Sequence, residues 1–106
     1  MKAIDVTDEN FEQLIAKSGK IAVVDFSAEW CPPCKAMTPV LELLASEMDG
    51  RVMVGKIDVD TNPETTAKFG VRNLPTFLFF RDGELVDRIV GAVSKAVITQ
   101  KLAALQ

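Results

Sequence analysis

Residues 21–40, IAVVDFSAEWCPPCKAMTPV, pass from one kind of secondary structure to another. The first seven, IAVVDFS, are an apolar, β-branched run broken by Asp25, the mark of a strand covered on both faces. From about Cys34 to Met48, apolar Met37, Val40, Leu41, Leu44 and Met48 recur at helical spacing, and Gly50 stops the pattern. Pro39 lies inside that helix and is expected to kink it, because it deletes a backbone donor and crowds the preceding turn. The chain's 2 cysteines, Cys31 and Cys34, sit where the buried strand gives way to the helix.

Outward from this unit the segments keep alternating. Ala3–Val6 reads as a short strand, then Thr7 caps a helix whose stripe is Phe11, Leu14 and Ile15 and which Gly19 closes. RVMVGKIDV (51–59) is a further strand, and Asn62 caps a short helix with Pro63 at its first position and Gly70 after its end. TFLFF (76–80) and ELVDRIV (84–90) flank Arg81-Asp82-Gly83, a hairpin signal built on Asp-Gly. Ser94 caps a closing helix with the stripe Val97, Ile98, Leu102 and Leu105. The order βαβαβαββα argues an α/β sheet with helices on both faces and an antiparallel hairpin at one end.

The totals set bounds. The 106 residues suffice for one domain, 1–106, and its core, but not for two. Hydrophobic residues make up 48% and charged residues 25%, which is a globular profile. The net charge of −3 comes with scattered lysines and arginines, so no nucleic-acid surface is expected. Asp5, Asp8 and Glu9 stand where a secretory signal would need an apolar run, and no apolar stretch approaches the roughly 20 residues of a spanning helix. The chain reads as a cytoplasmic protein away from membranes, where a cysteine pair is more often catalytic or metal-binding than structural.

Residues three apart at helical spacing have Cα atoms about 5 Å apart, inside the roughly 4.4–6.8 Å that a disulfide accepts. A bridge over so few residues removes little chain entropy, so it would be a feeble staple. Unpaired N–H groups at a helix entry stabilise thiolate, the reactive form. Cys31, the outer residue, is thus the expected nucleophile and Cys34 the resolving thiol, with Pro32 and Pro33 tolerated in the first turn and Lys35 adding positive charge. Zinc would want four ligands, and there is no histidine and a single Cys-x-x-Cys, so only a metal shared between two chains fits. Two ordinary buried cysteines are the bland alternative.

Asp25 is expected to be buried by strand alternation, with its pKa raised, and Lys56 on a neighbouring strand is its natural partner. Two readings stand level: a proton acceptor and donor for Cys34, or a satisfied buried ion pair. Pro75 must open its strand, and by propensity its peptide bond is trans, since about 5–6% of X–Pro bonds are cis. Trp30 is suited to cover the cysteines or simply to pack.

Taken together, VDFSAEWCPPCK, Pro39, DVDTNP, VRNLPTFLFF, the Asp-Gly hairpin and VGAVSK resemble the thioredoxin family, of the bacterial cytosolic type, over essentially the whole chain. The resemblance implies a central five-stranded mixed sheet with four helices, and a general protein-disulfide reductase. It makes Cys31 the nucleophile, Cys34 the resolving thiol, and Asp25 and Lys56 the family's buried acid and its lysine. It makes Pro75 a cis-proline facing the disulfide, against the propensity reading. Trp30, Pro32, Pro33, Pro75, Thr76, Gly91 and Ala92 would form the groove for target chains.

No bound cofactor is implied. Electrons would come through an NADPH-dependent flavoprotein thioredoxin reductase, and the other partners would be disulfide-containing proteins meeting a monomer. Two positions depart from the family pattern. Pro32 stands where glycine is usual, removing a backbone donor and flexibility beside the nucleophile, and Ser27 stands where tryptophan is common. Rival readings are an oxidase or isomerase on the same scaffold, an interaction module, and a zinc-bridged dimer.

Overall fold

The computed structural model describes residues 3–106. Strands β1 (Ile4–Asp5), β2 (Ile21–Ser27), β3 (Val52–Asp58), β4 (Thr76–Arg81) and β5 (Glu84–Val90) form one mixed sheet in the order β1-β3-β2-β4-β5. β3 runs parallel to β1 and β2, while β4 is antiparallel to β2 and to β5. The α-helices are α1 (Pro32–Ala36), α2 (Thr38–Glu47), α3 (Pro63–Lys68) and α4 (Lys95–Leu105).

The apolar runs at 21–27 and 76–80 become β2, the central strand, and β4 beside it, and their alternation builds two cores. Val23, Phe77 and Phe79 face Leu41 and Leu44 of α2 and Ile98 and Leu102 of α4. Ala22, Val24, Phe26, Leu78 and Phe80 turn to the other face, against Phe11 and Ile15. Phe26, Phe77, Phe79 and Phe80 are wholly buried, each contributing roughly 1.5–3 kcal/mol relative to exposure. On the second face, Phe11, Phe69 and Phe80 form a triangle of rings with centroids 5.3–5.6 Å apart, mostly tilted or edge-on.

The turn at Asp82-Gly83 is the expected one. Both residues have positive φ, 54° and 82°, and Arg81 pairs with Glu84, so the loop has two residues. Gly83 is required twice over, because a Cβ there would also run into the Ala16 carbonyl. The strand register shifts at Phe79/Phe80, an irregularity with no counterpart in the sequence pattern.

Several local readings are corrected. The helix expected from Cys34 to Met48 is two helices broken at Met37, with Pro39 in the first turn of α2, where its missing N–H is harmless. The first helix is a π-helical turn over Glu12–Ala16, closed by a hydrogen bond from Lys17 N to Glu12 O. Thr7 and Asn10 do cap its approach reciprocally: Asn10 N–H donates to Thr7 Oγ1 and Thr7 N–H to Asn10 Oδ1. Asn62 and Ser94 occupy cap positions, but neither side chain caps its helix. The first turn of α3 is instead capped from far away, by Asp8. Its carboxylate accepts from Glu64 N–H, Thr65 N–H and Thr65 Oγ1–H, while Asn62 Oδ1 accepts from Asp8 N–H.

Candidate active site

β2 carries the chain to the C-terminal edge of the sheet, and Ala28, Glu29 and Trp30 turn it into α1. Cys31 is the residue before that helix, in extended conformation with φ −99° and ψ 105°. Prolines at the first two helical positions surrender only N–H groups that would have no intrahelical acceptor. The third first-turn donor, Cys34 N–H, points at Cys31 Sγ, 3.3 Å away. Cys31 and Cys34 are joined in a disulfide with their Cα atoms 5.2 Å apart, as the helical spacing predicts. Both are buried, at 3% and 4% exposure, so Cys31 is not the outer residue by exposure. What distinguishes them is surroundings. Cys31 lines a mostly apolar groove with Trp30, Pro32, Pro33 and Leu74, whereas Cys34 opens on the opposite side into a polar cleft with Ser27, Lys35, Lys56 and Asp58.

Asp25 is 1% exposed and its Oδ1 has no hydrogen-bond partner among the described residues. By alternation along β2 it shares the sheet face of Val23, beneath α2 and α4, and it lies opposite Phe77 on β4. Burial pushes its carboxyl up to about 7, against the weaker opposing pull of the Lys56 ammonium. Lys56 is level with Asp25 in the β2–β3 register but is not its ion-pair partner. Its Nζ sits 3.9 Å from Asp5 Oδ1, and no ion pair to Asp25 forms among the described residues. The satisfied-pair reading therefore fails, and an uncompensated titratable group remains in the core.

On the other flank, the Leu74–Pro75 bond is cis, which overturns the reading from propensity and agrees with the resemblance. Pro75 and Thr76 are buried at the start of β4, and Pro75 O accepts from Gly91 N–H at 2.8 Å. Pro75, Thr76 and Gly91 are thus brought together, and Ala92 is exposed beside them. Leu74 and Val59 pack against Ala28, Cys31 and Cys34, which ties this flank to the disulfide. Trp30 is 67% exposed and donates its indole N–H to Asp60 Oδ2 at 2.8 Å, so it stands over the rim rather than packing in the core. Sequence reasoning missed Asp60, Val59 and Leu74, because contacts between residues so far apart along the chain leave no local pattern. No three His, Cys, Asp or Glu side chains converge as a metal would require among the described residues.

A Cys-x-x-Cys disulfide stands at a helix entry, a buried acid on β2 lies level with Lys56 of the cleft that Cys34 lines, and a cis-proline follows Leu74, which packs on the cysteines. The thioredoxin family model, described as "Thioredoxin", matches residues 2–104. The chain belongs to the thioredoxin family. It is 44% identical over 101 residues to thioredoxin 2 of Chlorobaculum tepidum, covering 95% of this chain and 93% of the relative. It is 47% identical over 102 residues to the thioredoxin of Staphylococcus haemolyticus, covering 96% of each. With the thioredoxin of Mycobacterium tuberculosis it shares 48% over 99 residues, 93% of this chain and 85% of the relative. As a thioredoxin-family protein with its Cys-x-x-Cys disulfide in place, the chain is a protein-disulfide oxidoreductase acting by dithiol–disulfide exchange. The family implies disulfide-containing targets and a reductase partner in general terms. No helix among the described residues is long and apolar enough to cross a membrane.

Proposed function

We propose that the chain, as one domain over residues 1–106, is a general reductant of protein disulfides in which Cys31 attacks and Cys34 resolves. The observation that carries this assignment is the Cys34 N–H aimed at Cys31 Sγ, on the sulfur that lines the apolar groove. A donor at that position stabilises the thiolate of the reduced protein, and the groove is the side from which an extended target can approach.

In the first step Cys31 thiolate attacks one sulfur of the target disulfide. A Cys31–target mixed disulfide forms, and the other target sulfur leaves as thiolate. In the second step Cys34 loses its proton and attacks Cys31 Sγ, forming the 31–34 disulfide and expelling the remaining target sulfur. Two electrons pass to the target; the Cys34 proton reaches one of its sulfurs, and solvent supplies the proton for the sulfur that left as thiolate in the first step. Asp25 is assigned as the group that accepts the Cys34 proton and returns one to the departing thiolate, directly or through one water. A carboxyl with a pKa near 7 takes up and gives back a proton with little penalty at neutral pH. Lys56 assists by favouring the ionised form of Asp25. Trp30, Pro32, Pro33, Pro75, Thr76, Gly91 and Ala92 are assigned to target binding, Thr76 through its backbone. Recycling falls to an NADPH-dependent flavoprotein reductase, and the setting is a cytoplasmic monomer.

Insulin reduction by dithiothreitol-regenerated protein tests the assignment. Wild type precipitates insulin, Cys31→Ser abolishes the activity, and Cys34→Ser accumulates mixed disulfide. Full activity in either serine variant overturns it. The oxidase or isomerase alternative is decided by the potential of the 31–34 couple, since a value above about −200 mV belongs to that class.

A further inference from the structure

Trp30 divides the rim around the disulfide into two unlike hollows. On one side it is joined by Glu29, Asp58 and Asp60 with Lys35, three carboxylates against one amine. On the other lies the groove that Cys31 lines, where Arg72 is the single charged side chain among the described residues. The chain has four arginines, and three are engaged on backbone carbonyls: Arg51 on Glu47, Arg81 on Leu105 and Arg88 on Phe69. Arg72 alone makes no hydrogen bond or ion pair among the described residues, and it is exposed. Beside it, the Asn73 carboxamide is also without a hydrogen-bond partner among the described residues, whereas the Thr66 hydroxyl in the same groove is already committed to Asn62 O.

We infer that Arg72 is a specificity residue, and that the groove takes an extended target segment with a carboxylate beyond the apolar residues flanking its reactive cysteine. The inference rests on the reductase reading and adds the substrate class. The groove's other walls are largely apolar, and Pro32 and Pro33 offer no N–H, so charge discrimination falls to the guanidinium. Its planar fork pairs two carboxylate oxygens at once. The acidic hollow across Trp30 repels the same carboxylate, so the two sides together orient the target.

The test uses two synthetic peptides, each with one cysteine in mixed disulfide with 2-mercaptoethanol between leucines. They differ only in Glu or Lys three residues away, and the residue is placed before the cysteine in one pair and after it in another. For at least one placement, wild type is expected to favour the Glu peptide in kcat/KM by about threefold to tenfold, the range for an exposed pair attracting one charge and repelling the other. The preference shrinks in 0.5 M salt, survives in Arg72→Lys, vanishes in Arg72→Ala and reverses in Arg72→Glu. Wild type that reduces insulin but treats the two peptides alike in both placements overturns this inference and leaves the reductase reading standing. An unchanged preference in Arg72→Glu overturns it equally. Wild type that reduces neither insulin nor peptide removes the reductase reading, and this inference falls with it.

Discussion

At the scale of single residues, Asp25 is where burial and chemistry meet. A carboxyl with a folded pKa of about 7 and an unfolded value of 3.8 keeps its proton in the native state after the unfolded chain has released it. Native protein thus binds more protons between those values, and stability falls as pH rises through that window and no further above it. Three pKa units correspond to about 4 kcal/mol. Asp25→Asn of the oxidised protein is therefore expected to gain several kcal/mol relative to wild type between pH 4 and pH 8, measured by guanidinium unfolding. A pH-independent difference would mean the acid is not desolvated. The same variant should slow resolution more than attack, so that mixed disulfide accumulates during turnover; equal slowing of both steps would reduce Asp25 to a structural role. The acid's burial was legible in the sequence from the alternation of IAVVDFS, but its lack of a partner was not. Register placed Lys56 alongside, yet the long lysine side chain reaches towards the carboxylate of Asp5.

At the scale of elements, the long-range cap joins the N-terminal loop to α3. The Asp8 carboxyl is pushed up by desolvation, but hydrogen bonds from the Thr65 hydroxyl and the Thr65 and Glu64 amides outweigh this and hold its pKa below the ordinary value. Its contribution is therefore present above the unfolded pKa, near 3.8, and lost as pH falls through the lower folded value. Asp8→Ala should lower Tm at pH 7, with a deficit that shrinks at pH 2; a constant deficit would assign the loss to packing instead. The hairpin offers a second test. Gly19 and Gly83 both have positive φ, but a Cβ at Gly19 meets nothing within 4 Å while one at Gly83 meets Ala16 backbone. Gly19→Ala is expected to cost about 1–2 kcal/mol, the left-handed penalty alone, and Gly83→Ala clearly more. Equal losses would show that Ala16 yields freely. Helix and strand existence was readable from periodicity, as was the Asp-Gly turn, but the break at Met37 was not, because the apolar spacing runs on through it and Pro39 fits the first turn of a new helix as well as a kink. The Thr7 cap was readable too, but the cap of α3 was not, because Asp8 and Thr65 stand 57 positions apart and any local rule assigns it to Asn62.

At the scale of the whole molecule, the sheet order β1-β3-β2-β4-β5 places β2 at the centre, between β3 and β4, and so brings the connection from β2 into α1 to the middle of one sheet edge. The alternation of strands and helices pointed to that arrangement, and the family resemblance supplied the mixed order and the cis-proline, which propensity argued against. The fold does not set the direction of electron flow, which depends on the balance between thiolate and disulfide at α1. There Pro32 replaces a backbone donor with a ring. Pro32→Gly should move the potential of the 31–34 couple while leaving unfolding nearly unaltered, and an unmoved potential would make the second proline neutral. The central claim is that the donor at the head of α1 makes one sulfur ionise early, a property for which thioredoxins are themselves a reference case. The direct measurement is the pH dependence of iodoacetamide alkylation of the reduced protein, with the modified cysteine mapped by mass spectrometry. Cys31 is expected to react first, with a midpoint at least one unit below the roughly 8.5 of an ordinary thiol. Two sulfurs alkylated at the same rate, with a midpoint near that of a free cysteine, would contradict the account.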